Sequence, residues 1–307
     1  MATTPRQGDL FAAPSTSLRL RRASRAIGQF IQTKPLGAGG AFILLFMGLV
    51  AIFPGLIAPY DPLQFAGKPF QNPSWSFLVG TDELGRDIMS RTLWATRNSM
   101  RIGVVAVLIA KTFALTVAMF TAYFGGPIDL LTQRVVDALI AFPGLIIALF
   151  WVAMFDPGPW TVTFAITIGL IPGTIRVIRS RVLQIKETNY VESARAIGAS
   201  TPRILIRHVL PNLVALYIVI VSLSVGGAIL VESSLSFLGL GVSPETPTWG
   251  NMVASSTVNL FLTGWWMPLP PAAGLALCVY GFNMLGDAMR DVLDPRLRGS
   301  RAAGVRT

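Results

Sequence analysis

Charged side chains are scarce in this sequence. Asp, Glu, Lys and Arg together make up 13% of the 307 residues, whereas a soluble domain carries about 25%. Hydrophobic residues make up 52% of the chain, and its mean hydropathy is +0.60. This balance excludes an ordinary soluble fold and predicts an integral membrane protein.

Cysteine and histidine are nearly absent as well. The single cysteine, Cys278, lies in an apolar run, and the single histidine, His208, lies in a polar segment. One thiol cannot form a disulfide framework, and a lone histidine cannot supply a metal site. The acidic residues are scattered along the chain, so the sequence predicts no metal site and no catalytic residue. These absences disfavour a membrane enzyme.

The phosphate-binding loop of many ATPases is also missing. No stretch fits the pattern G-x-x-x-x-G-K-[ST], and the only Gly-Lys pair, Gly67 and Lys68, is followed by Pro69. The backbone N–H groups of that loop hold the phosphates of a nucleotide. We therefore expect no cofactor in this chain.

Long apolar runs are what the sequence does contain. A helix needs about 17 to 25 apolar residues to cross a bilayer, and a run of sixteen, the fourth, gains length from Val177 and Ile178. The first run follows a long polar tail and is not expected to be a cleaved signal peptide. The sequence predicts an all-α integral membrane protein with six transmembrane helices. The six runs span residues 37–58, 102–124, 135–155, 160–175, 209–231 and 267–286.

The orientation of these runs follows from the basic residues. With the N-terminus inside, 19 of the 25 Lys and Arg residues fall in inner segments and five in outer segments. Short loops rich in Lys and Arg stay on the cytoplasmic side, so both termini are predicted to be cytoplasmic. The net charge of +10 then reflects topology and attraction to anionic membrane lipid. Because the basic residues are spread over four segments, no nucleic acid partner is expected.

The polar segment between the fourth and fifth runs reads YVESARAIGASTPRILIRHVLPN. Asn189 and Glu192 have the spacing of a capping box, which predicts a helix that begins at Tyr190. Gly198 is placed to end this helix in the left-handed conformation. Thr201, followed by a proline, predicts the start of a second short helix. The sequence thus predicts two short helices outside the bilayer, on the cytoplasmic side.

The first of these helices carries a narrow apolar stripe. Tyr190, Ala194 and Ile197 are spaced i, i+4 and i+7. Glu192 and Arg195 are placed to form an i, i+3 pair on another face. Two interpretations remain open: an amphipathic loop that rests on the membrane surface, or a rigid knob that docks in a groove of a cytoplasmic partner.

The same segment resembles the EAA loop of ATP-binding-cassette importer permeases. That loop has Glu-Ala-Ala, three residues, Gly, nine residues and then Ile-x-Leu-Pro. This sequence departs from the pattern at Ser193 and His208. The positions that match are Glu192, Ala194, Gly198, Leu210 and Pro211.

A second informative stretch precedes the second run, at residues 79–100, and reads VGTDELGRDIMSRTLWATRNSM. It predicts an interfacial helix after Gly85, with Arg86, Arg91 and Arg97 turned to water or headgroups. The run GTDELGRDIMSR also resembles the segment before the permease core in the C-type subunits of peptide and nickel permeases. The two resemblances occur in the expected order along the chain.

This family resemblance implies the type I importer permease fold. It divides the chain into a cytoplasmic basic tail, an N-terminal extension with the first transmembrane helix and an outer loop, the permease core, and a second cytoplasmic tail. These parts correspond to residues 1–36, 37–97, 98–290 and 291–307.

The resemblance also implies a subunit that catalyses no reaction and forms half of a pathway for di- or oligopeptides. The implied location is the plasma membrane of a prokaryote, and the other half of the pathway is a paralogous B-type permease subunit. Nickel or another small solute stays open as the substrate. An ion-coupled secondary transporter is a less favoured class, because the two halves of the chain show no convincing internal repeat.

Further partners follow from the same resemblance. ATP and magnesium would bind in two partner ATPase subunits, and an extracytoplasmic solute-binding protein would deliver the solute. The implied residues that couple this chain to the ATPase are Tyr190, Glu192, Ala194, Ile197 and Gly198.

Charged residues within the apolar runs need separate explanations. Lys111 lies near the middle of the second run, where a charge costs about 2.5 to 3.5 kcal/mol on insertion scales. Its ammonium is predicted to pair with an acidic group or helix-end carbonyls, to snorkel to the surface, or to line the pathway and contact a peptide carboxylate. Asp137 and Glu232 lie near the ends of their runs and are predicted to be interfacial.

Overall fold

The computed structural model describes residues 28, 30–259 and 264–293, and their regular structure is helical apart from one isolated bridge between Thr81 and Asp87. Residues 1–27 and 294–307 of the two predicted tails lie outside the described residues. The helices are α1 (Pro35–Ile52), α2 (Pro54–Ile57), α3 (Ile88–Phe124), α4 (Gly126–Ile140), α5 (Gly144–Met154), α6 (Pro159–Lys186), α7 (Asn189–Ala196), α8 (Thr201–Phe237), α9 (Trp249–Asn259) and α10 (Leu269–Leu293).

Five of these helices, α1, α3, α6, α8 and α10, are long and apolar enough to cross a membrane. The pair α4 and α5 qualifies as a sixth span only when taken together, and the two helices are bent by 87°. The predicted all-helical membrane fold is confirmed, but the third apolar run is not one straight helix. Pro143 explains the break, because proline has no N–H to donate and disfavours helical geometry at the residue before it.

Helix α3 is the central element of the bundle and has 37 residues. At 1.5 Å per residue it is about 55 Å long, whereas the hydrocarbon core of a bilayer is about 30 Å thick. Helix α3 is therefore longer than the apolar layer is thick. The end at which α3 begins is covered by residues 58–87, and the end at which it stops meets α7.

A row of alanines allows α3 to pack closely against α6. These residues recur every fourth position and therefore share one face of the helix. All have 0% exposure, and their neighbours include Val162, Ile166, Ile178 and Val182 of α6. Small side chains let two membrane helices approach, so that packing and interhelical hydrogen bonds can form. The alanine row consists of Ala106, Ala110, Ala114, Ala118 and Ala122.

The start of α3 is fixed by a local turn. The side chain of Asp87 caps the helix and accepts a hydrogen bond from the Ser90 N–H at 2.8 Å. Gly85 has φ = +75°, and a Cβ built there would lie 2.2 Å from the carbonyl oxygen of Gly67. This position therefore requires glycine for both conformation and space.

The prediction that Arg86 and Arg91 face water is wrong. Their residues are 9% and 5% exposed, and both pair with Asp82, at 2.7 Å and 3.5 Å respectively. Arg91 also donates to the carbonyl oxygen of Pro62 at 3.0 Å. The acidic residue that neutralises both cations lies within the same sequence motif, so the motif ties the loop to α3. Arg97, nearly two turns after Arg91, is exposed as predicted.

Glu232 lies near the end of α8 and is fully buried within the protein, while its interfacial depth stays a prediction. Its carboxylate accepts hydrogen bonds from the Ser236 hydroxyl at 2.9 Å and the Ser233 hydroxyl at 3.3 Å. Two hydroxyl groups of its own helix thus satisfy a buried carboxyl group near the end of α8.

The alanine row gives the first testable prediction. Ala118→Leu should lower the free energy of unfolding by about 1 to 3 kcal/mol, because α6 leaves no space for the larger side chain. Thermal unfolding of the purified transporter complex would measure the loss. Thr116→Leu is the matched control, since Thr116 is exposed on the same helix. Equal melting temperatures for the two variants would contradict the close contact between α3 and α6.

Candidate coupling site

Helix α7 begins one residue earlier than its sequence predicts. Thr188 is the N-cap, so Asn189 is the first helical residue and no capping box forms with Glu192. The Thr188 carbonyl accepts the N–H groups of Val191 and Glu192, at 3.0 Å and 3.1 Å. Its hydroxyl instead donates back to the carbonyl oxygen of Ile185 at 2.6 Å. The preceding helix α6 thus competes for the side chain that would otherwise cap α7.

The end of α7 matches the prediction. Gly198 has φ = +80°, its N–H donates to the Arg195 carbonyl at 2.9 Å, and the next N–H, of Ala199, donates to the Ala194 carbonyl at 3.0 Å. This pair of bonds is the Schellman arrangement of helix ends. A Cβ added at Gly198 would meet no heavy atom within 4 Å. Within this chain, glycine is therefore required for backbone conformation and not for space.

The predicted apolar stripe of α7 is divided between two faces. Ala194 is 5% exposed and packs inward with Val191, whereas Tyr190 and Ile197 are 44% and 84% exposed. Ile197 lies after the last helical residue and so leaves the line of the stripe. Val191 and Ala194, three residues apart, form the inward face. The exposed apolar surface of α7 is therefore formed by Tyr190 and Ile197.

Val191 and Ala194 hold α7 against the bundle. They belong to one buried cluster with Ile185 of α6 and with Leu205 and Val209 of α8. This contact attaches α7 to two spans at once.

The predicted pair between Glu192 and Arg195 is not formed. Arg195 turns to Tyr123 at the end of α3, with its Nε donating to the phenol oxygen at 3.3 Å and its guanidinium 5.1 Å from the ring centroid. Lys186 lies over the same ring, at 5.7 Å. Glu192 is left on the exposed surface of α7. Sequence reasoning missed Tyr123 because no local pattern links it to a segment about seventy residues later.

The second short helix of the prediction is instead the start of α8. Ser200, not Thr201, precedes the helix, which continues without interruption to Phe237. A π-helical turn at Leu205–Val209 precedes Pro211. The ring of a proline clashes with the carbonyl four residues before it in a regular α-helix, and the wider π turn removes that conflict. Pro211 therefore does not end the helix.

Lys111 lies in a buried pair with Thr174, between α3 and α6. The residue is 4% exposed, and its ammonium donates to the Thr174 hydroxyl at 2.7 Å. That hydroxyl donates in turn to the carbonyl oxygen of Leu170 at 2.8 Å. Lys111 was predicted to pair with an acidic group or with helix-end carbonyls. Among the residues that the structure describes, this prediction is wrong, because the ammonium bonds to a neutral hydroxyl. The burial of Lys111 also gives no support to a role in lining the pathway.

Comparison with known proteins places these features in context. The family described as "Binding-protein-dependent transport system inner membrane component" matches residues 114–299. The glutathione transport system permease protein GsiD of Pectobacterium atrosepticum is 36% identical over 272 residues, which are 88% of this chain and 90% of that protein. The proteins of the same name from Escherichia coli O1:K1 and Shigella sonnei are each 38% identical over 261 residues, covering 84% of this chain and 86% of each relative.

The pair of Lys111 and Thr174 predicts a specific pattern of stabilities. Lys111→Met should leave complex assembly and transport affinity unchanged, because a buried charge can be replaced by an apolar side chain of similar length at little cost. Thr174→Val should destabilise by about 1 to 3 kcal/mol, since it leaves the ammonium without its acceptor. The double variant should recover most of that loss.

Thermal unfolding and transport assays on all three variants provide the measurements. A fall in transport affinity for Lys111→Met, with assembly intact, would favour contact between Lys111 and the substrate and would contradict the buried pair.

Proposed function

Because the chain belongs to the family of inner membrane components of binding-protein-dependent transport systems, we propose that it forms one half of the translocation pathway of an ATP-driven importer of peptides. It is a permease subunit of the inner membrane, and the five or six apolar spans among its described residues fit that location. The second half of the pathway is a related permease chain of the B type. An extracytoplasmic binding protein delivers the solute to the pair.

The proposed substrate class is small peptides. The similar permeases are named for glutathione transport, and glutathione is itself a peptide. The similarity extends over 88% of this chain, including the spans that would surround a solute. A thermal-shift screen of the associated binding protein against peptides and nickel chelates tests this substrate class directly. Selective binding of a nickel chelate would contradict a peptide substrate and indicate nickel transport.

The geometry of α7 is the observation that carries the coupling role. An apolar residue, Ile197, is 84% exposed at the tip of a short helix that lies at the end of the bundle. Tyr190 adds a second exposed apolar group, and Glu192 stands between them on the exposed surface. Such a surface fits the groove of a partner, because exposed apolar groups on a rigid helix are typical of docking sites. The partner in this proposal is the ATPase subunit.

The role of Ala194 in the proposal differs from that of the exposed residues. Ala194 and Val191 anchor α7 to α6 and α8, while Gly198 sets the left-handed turn that presents Ile197. ATP and magnesium bind in the two ATPase subunits, and closure of these subunits draws this α7 and its counterpart in the second permease together. The spans then move with α7, and the pathway alternates between two states that differ in their affinity for the partners.

The proposed orientation places both termini and α7 in the cytoplasm and residues 58–87 outside. The basic residues that support it include Arg176, Arg181, Lys186 and Arg203 at the α7 end. The proposed extension, residues 37–97, and core, residues 98–290, are joined by α3, which runs continuously through the boundary between them.

Docking through Ile197 predicts a loss of coupling when its side chain becomes charged. Ile197→Asp should remove the ATPase from the purified complex, or leave it bound with hydrolysis that no longer responds to loaded binding protein, because a charge would be buried in an apolar groove. Ile197→Leu is the matched control and should behave as wild type. ATPase content and solute-stimulated hydrolysis are the two measurements. Normal ATPase content and normal solute-stimulated hydrolysis for Ile197→Asp would show that α7 does not dock to the ATPase.

The orientation predicts which engineered cysteines are accessible from outside. In a Cys278→Ser background, a cysteine at Ser74 should react with an impermeant maleimide in cells whose outer barrier is opened. A cysteine at Ser200 should react only after the inner membrane is permeabilised. Both serines are exposed, so accessibility reports the side of the membrane. The reverse labelling pattern would place α7 outside and exclude contact with a cytoplasmic ATPase.

A further inference from the structure

A basic cavity lies where the end of α3 meets the end of α6, α7 and the start of α8. Its volume is about 400 Å³. The coupling role of α7 does not use it, because the cavity lies on the side of α7 that carries Arg195, whereas Ile197 forms the exposed tip. The residues that line it are Tyr123, Phe124, Lys186, Arg195, Ala199, Thr201 and Ile204.

Two cations in this cavity are not neutralised. Lys186 and Arg195 both lie over the ring of Tyr123, at 5.7 Å and 5.1 Å from its centroid. Neither forms an ion pair with any acidic residue in the part of the chain that the structure describes. One other cation near this end, Arg179, is neutralised, since it bonds to Asp129 through two nitrogens at 2.7 and 2.8 Å. Two like charges around one ring repel each other, and an anion between them would remove that repulsion.

The first turn of α8 adds to the positive potential of the cavity. Thr201 is the first residue of this 37-residue helix, and no side chain caps its N–H groups. The amino end of a helix carries a partial positive charge and favours anions, phosphates among them. The two cations and the amino end of α8 therefore all favour an anionic ligand.

An exposed aromatic track leads from the cavity along α3. Phe124 lines the cavity and is 59% exposed, Phe120 stacks on it with centroids 6.5 Å apart, and Phe113 is 54% exposed two turns earlier. Positions 113, 120 and 124 share one face of a helix. A soluble phosphate would use only the cavity, whereas an amphiphile would also cover the phenylalanine track. The juxtaposition of a basic cavity and an apolar track along a membrane span is typical of a lipid site.

We propose that this cavity binds the phosphate group of an anionic phospholipid, with an acyl chain lying along the phenylalanine track. The phosphate contacts Lys186 of α6 and Arg195 of α7, so the lipid bridges the end of the bundle and α7. It therefore contributes to the stability of the attachment of α7. The inference requires only that α3 crosses a membrane, and it holds for either orientation of the chain.

The test uses the whole transporter complex, purified in detergent and depleted of lipid. Dioleoylphosphatidylglycerol, dioleoylphosphatidylcholine and inorganic phosphate are added separately, and bound lipid is counted by native mass spectrometry alongside thermal unfolding. We expect phosphatidylglycerol to remain bound and to raise the melting temperature, because a ligand that binds only the folded state stabilises it. Phosphatidylcholine and inorganic phosphate should give smaller shifts.

The variants identify the site of binding. Lys186→Gln and the double variant Lys186→Gln, Arg195→Gln should abolish the phosphatidylglycerol shift and the retention of the lipid. Arg207→Gln is the matched control, since Arg207 is exposed at the same end but does not line the cavity. Phe124→Ala should weaken retention of the lipid but not any effect of inorganic phosphate.

Three results would overturn the proposal. Retention of phosphatidylglycerol by the double variant would place the lipid elsewhere. An equal shift with inorganic phosphate would show a site for free phosphate in place of a lipid. Loss of the ATPase from the double variant, with lipid retention unchanged, would assign the two cations to an acidic surface of the ATPase. None of these results depends on transport, so the proposed import function is tested separately.

Discussion

Close contact between α3 and α6 along the alanine row is the constraint on which the other features depend. Each alanine in the row is fully buried, so a larger side chain has to displace its neighbours. The same contact brings Lys111 to Thr174 midway along the two helices and Tyr123 to Lys186 at their end. Helix α7 rests on the surface that this contact creates. The geometry of the candidate coupling site therefore depends on packing inside the bundle.

Charged groups buried in this chain are satisfied in two ways. At the start of α3, Arg86 and Arg91 share a carboxylate supplied by the same motif. Within the spans, Lys111 and Glu232 rely on hydroxyl groups. A hydroxyl can bond to a carbonyl of its own helix when its partner moves, as Thr174 already does. Ion pairs are not confined to that loop, because buried Asp129 of α4 pairs with Arg179 of α6.

Local signals in the sequence predicted the helical fold and the turn at Gly198, because apolar runs and glycine act over a few residues. Some wrong predictions are local, since Thr188 bonds to Ile185, three residues earlier, in place of capping α7. Others involve distant partners. Arg91 contacts a loop about thirty residues away, and Arg195 contacts Tyr123 across seventy-two residues. A single sequence does not show which distant residues contact each other. The exposed and buried faces of α7 therefore could not be assigned from spacing alone.

The π-helical turn at Leu205–Val209 has a consequence for how the sequence of α8 can change. Such a turn holds one residue more than an α-helical turn, so it offsets the faces of the helix on its two sides by about 100°. Ile204, which packs beneath α7, and Leu213 in the span point into one buried cluster because of this offset. A one-residue deletion within the turn would restore an unbroken α-helix and rotate the α7 end about the axis of α8. The length of this turn, and not only its composition, thus sets the orientation of the first residues of α8, and of α7 beside them, relative to the span.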